Sequence, residues 1–297
     1  MKAIVAEKCG FCPGVRNAIR EAERVLAREK NVYSLGPIIH NKDVVEKLAK
    51  MGLKTVEKAD QIPCKTQDAR RKARATVIIR SHGLAPKQKE KLEKKRLNIV
   101  DATCVLVKRV QKIAKDLEKQ GYKVVVIGDK EHPEIQAVVG CAKNVVVAAD
   151  KADLHKLPKN GKLGIVCQTT QSPEHFAKML GNIAKMGFET GKVSELKVIN
   201  TLCTEAIKRQ QSAVKLCKKV DIMFVLGSLE SANTRKLAEL CKKYNKRTFH
   251  LQNWSEFDRK ACSAKKTARP LTAGVTAGAS TPEWIIKEFV ENLKKIR

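Results

Sequence analysis

The sequence predicts an α/β protein made of three related units, each with a largely parallel sheet and flanking helices. Short β-branched runs that end at glycine or polar residues alternate with stretches of helical period along the whole chain. When the chain is compared with itself, one order of features also occurs three times, with spacings of 92 and 99 residues. Such alternation is typical of parallel sheets, and an internal repeat indicates homologous units.

Each predicted unit has the same two landmarks. A cysteine follows one strand-like run and precedes a helix-like run, and a glycine ends the next strand 24 residues later. The three cysteines are Cys12, Cys104 and Cys203. The three glycines are Gly36, Gly128 and Gly227. This constant spacing predicts three βαβαβ units.

The unit boundaries follow the cysteines. We predict a first unit with an N-terminal strand, a second unit, and a third unit with a C-terminal helix. Their ranges are 13–103 with the strand at 1–12, 104–202, and 203–280 with the helix at 281–297. The N-terminal strand and C-terminal helix are expected to pack onto the outside of the units.

Periodicity and capping patterns place the main helices. Apolar residues at helical spacing predict helices over 14–30 and 105–119. The spacing from Ser280 to Glu283 is that of a capping box, which predicts the start of the last helix with a proline in its first turn. The polar stretch 57–75 is expected to be a solvated insertion loop.

Composition limits the class of protein. The 297-residue chain is 43% hydrophobic and 31% charged, which is enough apolar material for a sizeable core. Its longest uncharged run, 270–282, falls short of the roughly 18 apolar residues that span a membrane. The first nine residues lack the apolar segment of a signal peptide. We therefore expect a cytoplasmic protein without a membrane partner.

Polar side chains follow the predicted strand ends in all three units. Because the carboxyl ends of parallel strands share one edge of a sheet, loops of three units arranged around an axis would meet at a common centre. Many of these positions also open a helix, where backbone N–H groups favour anions. The loop residues are His40, His82, His132, Glu134, Thr169, Ser231, Asn233 and Ser280.

The residue types in these loops indicate a metal centre beside an anion site. Three thiolates suit a metal with one open position, either a cubane iron-sulfur cluster or zinc. A structural zinc site is normally closed by a fourth ligand and uses closely spaced pairs, unlike cysteines about a hundred residues apart. The histidines with Ser and Asn side chains suit a phosphate or diphosphate. Glu134, beside His132, is a candidate proton donor.

Nine short motifs occur in order along the chain. They are Gly10–Val15, Ile39–Asn41, Ser81–Gly83, Asp101–Cys104, His132–Glu134, Gln168–Thr170, Cys203–Gln210, Gly227–Asn233 and Val275–Ser280. In these motifs the chain resembles the IspH or LytB family of 4-hydroxy-3-methylbut-2-enyl diphosphate reductases over essentially its whole length.

The resemblance implies a fold, a cofactor and a reaction. The fold would be a trefoil of three α/β units around a central [4Fe-4S] cluster with an open iron site, held by Cys12, Cys104 and Cys203. The reaction would be reductive dehydroxylation of (E)-4-hydroxy-3-methylbut-2-enyl diphosphate to isopentenyl diphosphate and dimethylallyl diphosphate, the last step of the methylerythritol phosphate route to isoprenoids. A small reduced carrier, ferredoxin or flavodoxin, would supply electrons.

The same resemblance implies residue roles. Glu134 would donate the proton, and Thr169 would face the substrate hydroxyl with it. The diphosphate would be held by His40, His82, His132, Ser231, Ala232, Asn233 and Ser280. The chain departs from the family pattern at Pro13, Val105, Ala206 and Ala232. Since the family often has a serine at the last of these positions, one diphosphate hydrogen bond there would come from backbone.

Charge leaves a second hypothesis open. The net charge is +29, and residues 65–96 hold twelve Lys or Arg against three acids. A nucleic-acid or ribosome-associated binding protein on the same scaffold is therefore the alternative. Only 4% of residues are aromatic, which leaves few platforms for stacking bases. We favour a lysine-rich solvated surface that docks an acidic electron carrier, without nucleic acid as a partner.

The remaining cysteines lack the repeat spacing. Cys9 forms a CxxC pattern with Cys12, but the resemblance needs only the second of the two. The others are expected to be small packing residues or surface thiols. They are Cys64, Cys141, Cys167, Cys217, Cys241 and Cys262.

Overall fold

A computed structural model describes residues 1–63, 74–157, 160–191, 193–258 and 271–296. Within these ranges the chain forms three four-stranded sheets, in which every pair of neighbouring strands is parallel. The predicted α/β class with parallel sheets is confirmed. No helix in these ranges is long and apolar enough to cross a membrane.

Twelve strands and nine α-helices are present in the described ranges. The strands are β1 (Lys2–Val5), β2 (Val32–Leu35), β3 (Leu53–Val56), β4 (Thr76–Ile79), β5 (Asn98–Asp101), β6 (Lys123–Ile127), β7 (Val145–Ala148), β8 (Gly161–Cys167), β9 (Val193–Val198), β10 (Ile222–Leu226), β11 (Thr248–Leu251) and β12 (Thr272–Ala277). The helices are α1 (Pro13–Leu26), α2 (Lys42–Lys50), α3 (Pro86–Lys94), α4 (Val105–Lys119), α5 (Pro133–Val139), α6 (Pro173–Thr190), α7 (Thr204–Cys217), α8 (Ala232–Tyr244) and α9 (Glu283–Lys295).

Backbone contacts divide the chain into two compact units. The terminal unit comprises Met1–Arg16, Ile39–Lys47 and Thr204–Arg297. The central unit comprises Asn17–Ile38 and Leu48–Cys203. The terminal unit holds one sheet and the central unit holds two.

One strand order recurs in all three sheets. The orders are β3-β2-β4-β5, β7-β6-β8-β9 and β11-β10-β12-β1. In each sheet the last strand of this order is the one that leads into a repeated cysteine. Strands β2–β5, β6–β9 and β10–β12 lie inside the ranges expected for the three units, while the division into three domains stays a prediction.

The N-terminal strand belongs to the last sheet. β1 pairs with β12 in parallel, with Lys2 opposite Thr272 and Val5 opposite Val275. The predicted grouping of residues 1–12 with the first unit is therefore wrong at the level of strand pairing. The physical reason is burial on both faces, because Ala3 packs on one apolar cluster of this sheet and Ile4 on the other.

The core of the terminal unit lies on both faces of its sheet. On one face α9 covers β12 and β10, where the rings of Phe224 and Phe289 lie 5.2 Å apart. On the other face α7 and α8 bury Ala213 and Leu237 against Val225. Sheets buried on both faces are expected of parallel strands, which read as continuous apolar runs.

The central unit has its own apolar clusters around two sheets. Tyr33, Val77 and Leu92 belong to the cluster at the first sheet. Val125 and Ile165 lie in one cluster of the second sheet, which also carries a separate cluster under α4. These cores hold the strand ends, and with them the polar loops, in fixed places.

Helix predictions hold for α4 and need correction elsewhere. The helix predicted over 105–119 is α4, and the one predicted over 14–30 is α1, which ends at Leu26. The last helix begins at Glu283 with Pro282 as its N-cap and no side-chain cap. The predicted capping box with a proline in the first turn is therefore wrong.

The predicted insertion loop contributes to the core at its described edges. Ala59–Gln61 forms a short 3-10 helix, and Ala59, Ile62 and Ala75 are buried in the first cluster of the central unit. Residues 64–73 lie outside the part of the chain that the structure describes.

Candidate functional site

Each repeated cysteine sits directly before a helix. Cys12 precedes α1, Cys104 precedes α4 and Cys203 precedes α7, and all three are partly buried with reduced thiols. The first turn of a helix has backbone N–H groups without a partner inside the helix. In α1 one of these groups binds the thiol, because the Val15 backbone N–H donates to Cys12 Sγ at 3.4 Å.

The backbone of each cysteine is tied to a polar loop of the same sheet. In every case the cysteine N–H donates to a carbonyl in the loop that follows the neighbouring strand. The three pairs are Cys12 with Ala279 (3.2 Å), Cys104 with Ser81 (3.0 Å) and Cys203 with Thr169 (2.8 Å). The repeat therefore places each thiol beside a loop that contains predicted substrate-binding residues.

In the terminal unit the predicted anion-binding residues gather at the start of α8. Ser231 is the N-cap, and its Oγ accepts the backbone N–H of Thr234 at 3.4 Å. Ala232 and Asn233 are the first two helical residues. Their backbone N–H groups belong to the first turn, which has no partners within the helix and attracts anions. The backbone donor predicted at position 232 is consistent with this geometry.

His40 and Ser280 are brought together in the same unit. Ser280 Oγ donates to the carbonyl oxygen of His40 at 3.1 Å. This hydrogen bond uses the hydroxyl that the capping-box prediction had assigned to α9. It links the loop after β12 to the histidine that precedes α2.

Glycines let two loops press against the first turn of α8. A Cβ at Gly278 would lie 2.0 Å from Thr234 Oγ1. Gly227 has a φ of +136°, and a Cβ there would lie 2.5 Å from Thr281 Oγ1 and 3.2 Å from Thr234 Cγ2 in α8. Only residues without a side chain fit here, so the loops after β10 and β12 can approach the helix start closely.

In the central unit two predicted histidines touch. The rings of His82 and His132 meet edge to face, with centroids 5.5 Å apart. His132 caps α5, and its Nδ1 accepts the backbone N–H of Glu134 at 3.2 Å. Because Nδ1 acts as an acceptor, the neutral ring carries its proton on Nε2, which is then a donor.

Thr169 binds both carboxylate oxygens of Glu134. Its side chain is buried, at 2% exposure. Oε1 accepts the backbone N–H of Thr169 at 2.7 Å, and Oε2 bonds to the Thr169 hydroxyl at 2.8 Å. The carbonyl of Thr169 in turn accepts the backbone N–H of Cys203. The candidate acid, the candidate hydroxyl contact and one candidate metal ligand thus form one connected chain.

The two compact units divide the predicted residues between them. The terminal unit carries Cys12, His40, Ser231, Ala232, Asn233 and Ser280. The central unit carries His82, Cys104, His132, Glu134, Thr169 and Cys203. Among the residues with described positions, no group of three or more His, Cys, Asp or Glu side chains could hold a metal ion. Convergence of the three cysteines on one centre stays a prediction.

The donor set itself fits a soft metal centre. The three side chains are sulfur donors in equivalent helix-start positions, and Cys12 Sγ already accepts a backbone N–H. Backbone N–H bonds to cysteine sulfur are typical of iron-sulfur sites, where they tune the cluster. Val105, where the family usually has proline, is 76% exposed, so this departure alters no packing beside Cys104.

Cys9 is a thiol with a raised pKa. Burial raises the pKa of Cys9 to about 11, although the nearby Arg209 guanidinium acts in the opposite direction. A thiol with this pKa stays protonated at neutral pH and is a poor nucleophile. Cys64 and Cys262 lie outside the described residues.

Two features near Cys12 were not singled out from the sequence. Arg209, inside the motif Cys203–Gln210, is buried and donates to the carbonyl of Ala277 at 3.4 Å. Trp284 is 46% exposed, meets the ring of Phe11 edge to face at 6.4 Å, and carries Lys47 Nζ 5.7 Å from its ring centre. The sequence signal for the exposed Trp284 pair is Phe11, an aromatic residue directly before the repeated Cys12.

Comparison with protein families gives one match over nearly the whole chain. The family model described as LytB protein matches residues 3–294. A curated relative from Trichlorobacter lovleyi, named 4-hydroxy-3-methylbut-2-enyl diphosphate reductase, is 40% identical over 297 residues, which are 100% of this chain and 99% of the relative. A relative of the same name from Pelobacter propionicus is 39% identical with the same coverage.

Two solved structures share the fold. One is described as (E)-4-hydroxy-3-methyl-but-2-enyl diphosphate reductase, the terminal enzyme of the non-mevalonate pathway. It matches with a TM-score of 0.69 and 37% identity over 100% of both chains. The other, E-1-hydroxy-2-methyl-but-2-enyl-4-diphosphate reductase from Plasmodium falciparum, matches with a TM-score of 0.87 and 28% identity over 99% of this chain and 88% of its own.

Proposed function

Since the chain belongs to the LytB protein family, we propose that it reduces (E)-4-hydroxy-3-methylbut-2-enyl diphosphate to isopentenyl diphosphate and dimethylallyl diphosphate. It is an oxidoreductase of the kind that its relatives are named for. The observation that carries this proposal is 40% identity to a curated reductase over the entire chain. The reaction consumes two electrons and two protons, and the allylic hydroxyl leaves as water.

The diphosphate end of the substrate would bind at the start of α8. Ser231, Ala232 and Asn233 offer a hydroxyl, backbone N–H groups and an amide at a helix N-terminus, where the dipole stabilises negative charge. The remaining contacts would come from Ser280 and the three histidines His40, His82 and His132. His132 supports this role, since its Nδ1 is already used and its Nε2 is the donor.

The three repeated cysteines, Cys12, Cys104 and Cys203, would hold one [4Fe-4S] cluster. The support is their equivalent position before three helices and their sulfur chemistry. When bound, such a cluster supplies single electrons to a substrate next to it. The protein's own part is to orient the substrate, exclude water and deliver protons.

Glu134 would deliver the proton that lets the hydroxyl leave as water. A buried carboxyl group with few water neighbours resists ionisation and can keep a proton for transfer. Thr169 is suited to stand between this acid and the substrate hydroxyl. If Glu134 Oε2 carries the proton, it donates to Thr169 Oγ1, which can then donate its own proton onward.

Electrons would come from a small reduced carrier such as ferredoxin or flavodoxin. Such carriers are acidic, and this chain has a net charge of +29. The exposed Trp284 beside Phe11, with Lys47 over its ring, is a candidate contact for the carrier because aromatic and cationic side chains dominate protein interfaces. The alternative of nucleic-acid binding gains no support beyond the charge itself.

Anaerobic turnover tests the proposal. Reconstituted protein is mixed with reduced methyl viologen and (E)-4-hydroxy-3-methylbut-2-enyl diphosphate, and both dye oxidation and products are followed. We expect substrate-dependent oxidation that yields both five-carbon diphosphates. A brown, cluster-loaded protein that leaves the dye reduced would contradict the proposed reaction. RNA binding that falls steeply with salt would then favour the alternative.

A further inference from the structure

A cleft of about 600 Å³ lies in the central unit. Its described lining contains no residue of the candidate site. Gln136 and Val139 of α5 form one part of its wall, and the valines 145–147 of β7 form another. Lys130 and Lys156 line it as well, and both are exposed. The cleft therefore opens to solvent beside one strand of a sheet.

The backbone of β7 has hydrogen-bonding groups on both sides, and β6 uses those of one side. The Val124 N–H in β6 donates to the carbonyl of Asn144 at 3.1 Å. In a parallel pair the groups of every second residue face the neighbouring strand, so Asn144 and Val146 face β6. Val145 and Val147 direct their N–H and C=O groups the other way. Among the described residues these four groups have no hydrogen-bond partner.

The outward-facing groups on either side of these two valines are already bound. At the carboxyl end, the Ala149 N–H donates to Asp153 Oδ2 at 2.8 Å, and the Ala149 carbonyl accepts from His175 Nε2 at 2.9 Å. At the other end, the Lys143 N–H donates to Glu118 Oε1. The protein thus satisfies its own backbone at both ends of β7 and leaves a short open stretch between them, where the cleft lies.

The side chains of β7 do not protect this open edge. In the described part of the chain, β3, β7 and β11 are equivalent outer strands of the three sheets. β3 carries Lys54 and β11 carries His250, whereas β7 consists of three half-buried valines and one alanine. Natural sheets commonly protect an outer strand with charged side chains, and an apolar outer strand is a template for another strand.

We propose that this cleft binds an extended acidic segment of a partner protein, which adds a fifth strand beside β7. The two outward-facing valines offer two N–H donors and two carbonyl acceptors, which is the main-chain pattern that strand addition uses. Every second side chain of the added strand would pack toward α5 and Val139. The inference does not depend on the proposed reductase reaction.

Charge selects this occupant over a second copy of the chain. Lys130 and Lys156 line the cleft together with one acid, Asp153, which already binds the Ala149 N–H and the Lys156 ammonium. The chain as a whole carries a net charge of +29. Two such chains repel each other, whereas an acidic segment is attracted both by the molecule and by the lysines at the cleft.

Fluorescence anisotropy with a labelled peptide tests the inference on the full chain. The probe is the heptapeptide EVTVTVE, which has strand-forming residues between two acids. We expect saturable binding about tenfold tighter than that of KVTVTVK, which has lysine at both ends. The same margin is expected over EVTPTVE, because its central proline has no N–H and disrupts an added strand. Equal binding of the first and third peptides would overturn the proposal.

Amide hydrogen exchange shows where the peptide binds. The N–H groups of Val145 and Val147 should exchange quickly in the free protein and at least about tenfold more slowly with saturating EVTVTVE. The Val146 N–H faces β6 and should exchange slowly in both states. NMR of the ¹⁵N-labelled chain measures all three. Peptide binding that leaves the exchange of both outer valines unchanged would contradict strand addition.

A backbone variant separates strand addition from general attraction of charge. Val147→Pro removes one outward N–H and keeps the bonds to β6, and proline is tolerated on an outer strand in this position. We expect EVTVTVE to bind about five- to tenfold more weakly, the effect of one hydrogen bond. Val147→Ala keeps the donor and should bind within about twofold of the natural chain. If Val147→Pro fails to fold, the exchange of the two valine amides in the natural chain decides the question.

Charge and self-association complete the test. Lys130→Glu should weaken binding of EVTVTVE several-fold, whereas Lys219→Glu, at an exposed lysine of the terminal unit, should not. Equal losses in the two variants would indicate attraction to the whole basic surface and overturn the proposal. Sedimentation of the natural chain should show a monomer without the peptide. A dimer that Val147→Pro dissociates would assign the open edge to a second copy instead.

Discussion

Thr169 binds both carboxylate oxygens of Glu134, with its backbone N–H at 2.7 Å and its hydroxyl at 2.8 Å. The two residues are 35 positions apart. Glu134 lies in the first turn of α5, which follows β6, and Thr169 lies in the loop after β8, the neighbour of β6 in one sheet. Because the carboxyl group is buried and bound at both oxygens, we expect it to keep this orientation. In the proposed mechanism its proton would pass to the Thr169 hydroxyl or directly to a bound substrate.

Glu134→Gln should keep the fold and the cluster and lose turnover. Glutamine preserves the volume and can still accept the Thr169 N–H, but it has no proton to transfer. We expect kcat to fall about 10²- to 10⁴-fold, the usual contribution of a positioned acid. Steady-state kinetics with methyl viologen measure this, and the exposed Glu131→Gln is the matched control. An active Glu134→Gln enzyme would remove the proton-donor role.

Thr169→Val tests the hydroxyl separately from the acid. Valine keeps the backbone N–H to Oε1 and removes the hydroxyl bond to Oε2. We expect kcat to fall by about tenfold or more, with Thr169→Ser restoring most of it. A valine variant that turns over as fast as the natural chain would show that the hydroxyl has no role in turnover.

Cys104→Ser should abolish cluster binding. A serine hydroxyl stays protonated where a thiolate would bind iron, so we expect the brown absorbance and the bound iron to be lost. Iron and sulfide analysis after reconstitution measures this. Cys141→Ser, at a thiol outside the repeat, should reconstitute as the natural chain does. Normal iron content in Cys104→Ser would show that the three-cysteine assignment is wrong.

Gly278→Ala should destabilise the protein through one contact. The added Cβ would meet Thr234 Oγ1 at 2.0 Å, so the loop or the start of α8 must move. We expect a loss of about 1–3 kcal/mol in the free energy of unfolding, as for other overpacked sites. Urea denaturation measures this, and Gly181→Ala, in α6 with nothing near its Cβ, should be neutral or stabilising. Equal midpoints for the two variants would contradict the close approach.

Trp284→Ala should lower turnover with a protein electron carrier and leave turnover with methyl viologen unchanged. Turnover driven by reduced flavodoxin or ferredoxin should fall several-fold, because a central aromatic contact is lost. Turnover driven by methyl viologen should stay unchanged, since a small dye needs no docking surface. Phe188→Ala, at a residue 73% exposed, is the control and should affect neither. A loss with both donors would point to damage at Cys12 instead of docking.

The repeat could be predicted from the sequence because a cysteine and a glycine recur at one constant spacing. Cysteine and glycine stand 24 residues apart in all three units, and neither is easily replaced where a helix start or a tight loop is required. The parallel sheets followed from the alternating pattern. The pattern could not predict that β1 pairs with β12. A four-residue strand carries too little information to show which sheet it joins.

Side-chain partners were harder to predict than positions. The sequence predicts that Glu134 lies beside His132, because the two residues are only two positions apart. The hydrogen bonds from Thr169 to Glu134 depend on the packing of two strands and could not be predicted in this way. Ser280 was expected to cap α9, but its hydroxyl donates to the carbonyl of His40, 240 residues away in the sequence. Local spacing predicts local hydrogen bonds, and tertiary contacts replace them where a better acceptor is near.

The place of β1 in the last sheet also bears on how the protein is made. During synthesis β1 precedes β12, whose paired residues lie 270 positions later, so β1 cannot be hydrogen-bonded in its sheet until β12 has been made. Until then β1 has no partner strand and is open to wrong pairing. Met1 and Ile296 lie in hydrogen-bond contact once the sheet is complete. A chain in which residues 1 and 297 are joined by a short linker and the backbone is opened near residue 103 would present its three repeats consecutively and should refold faster.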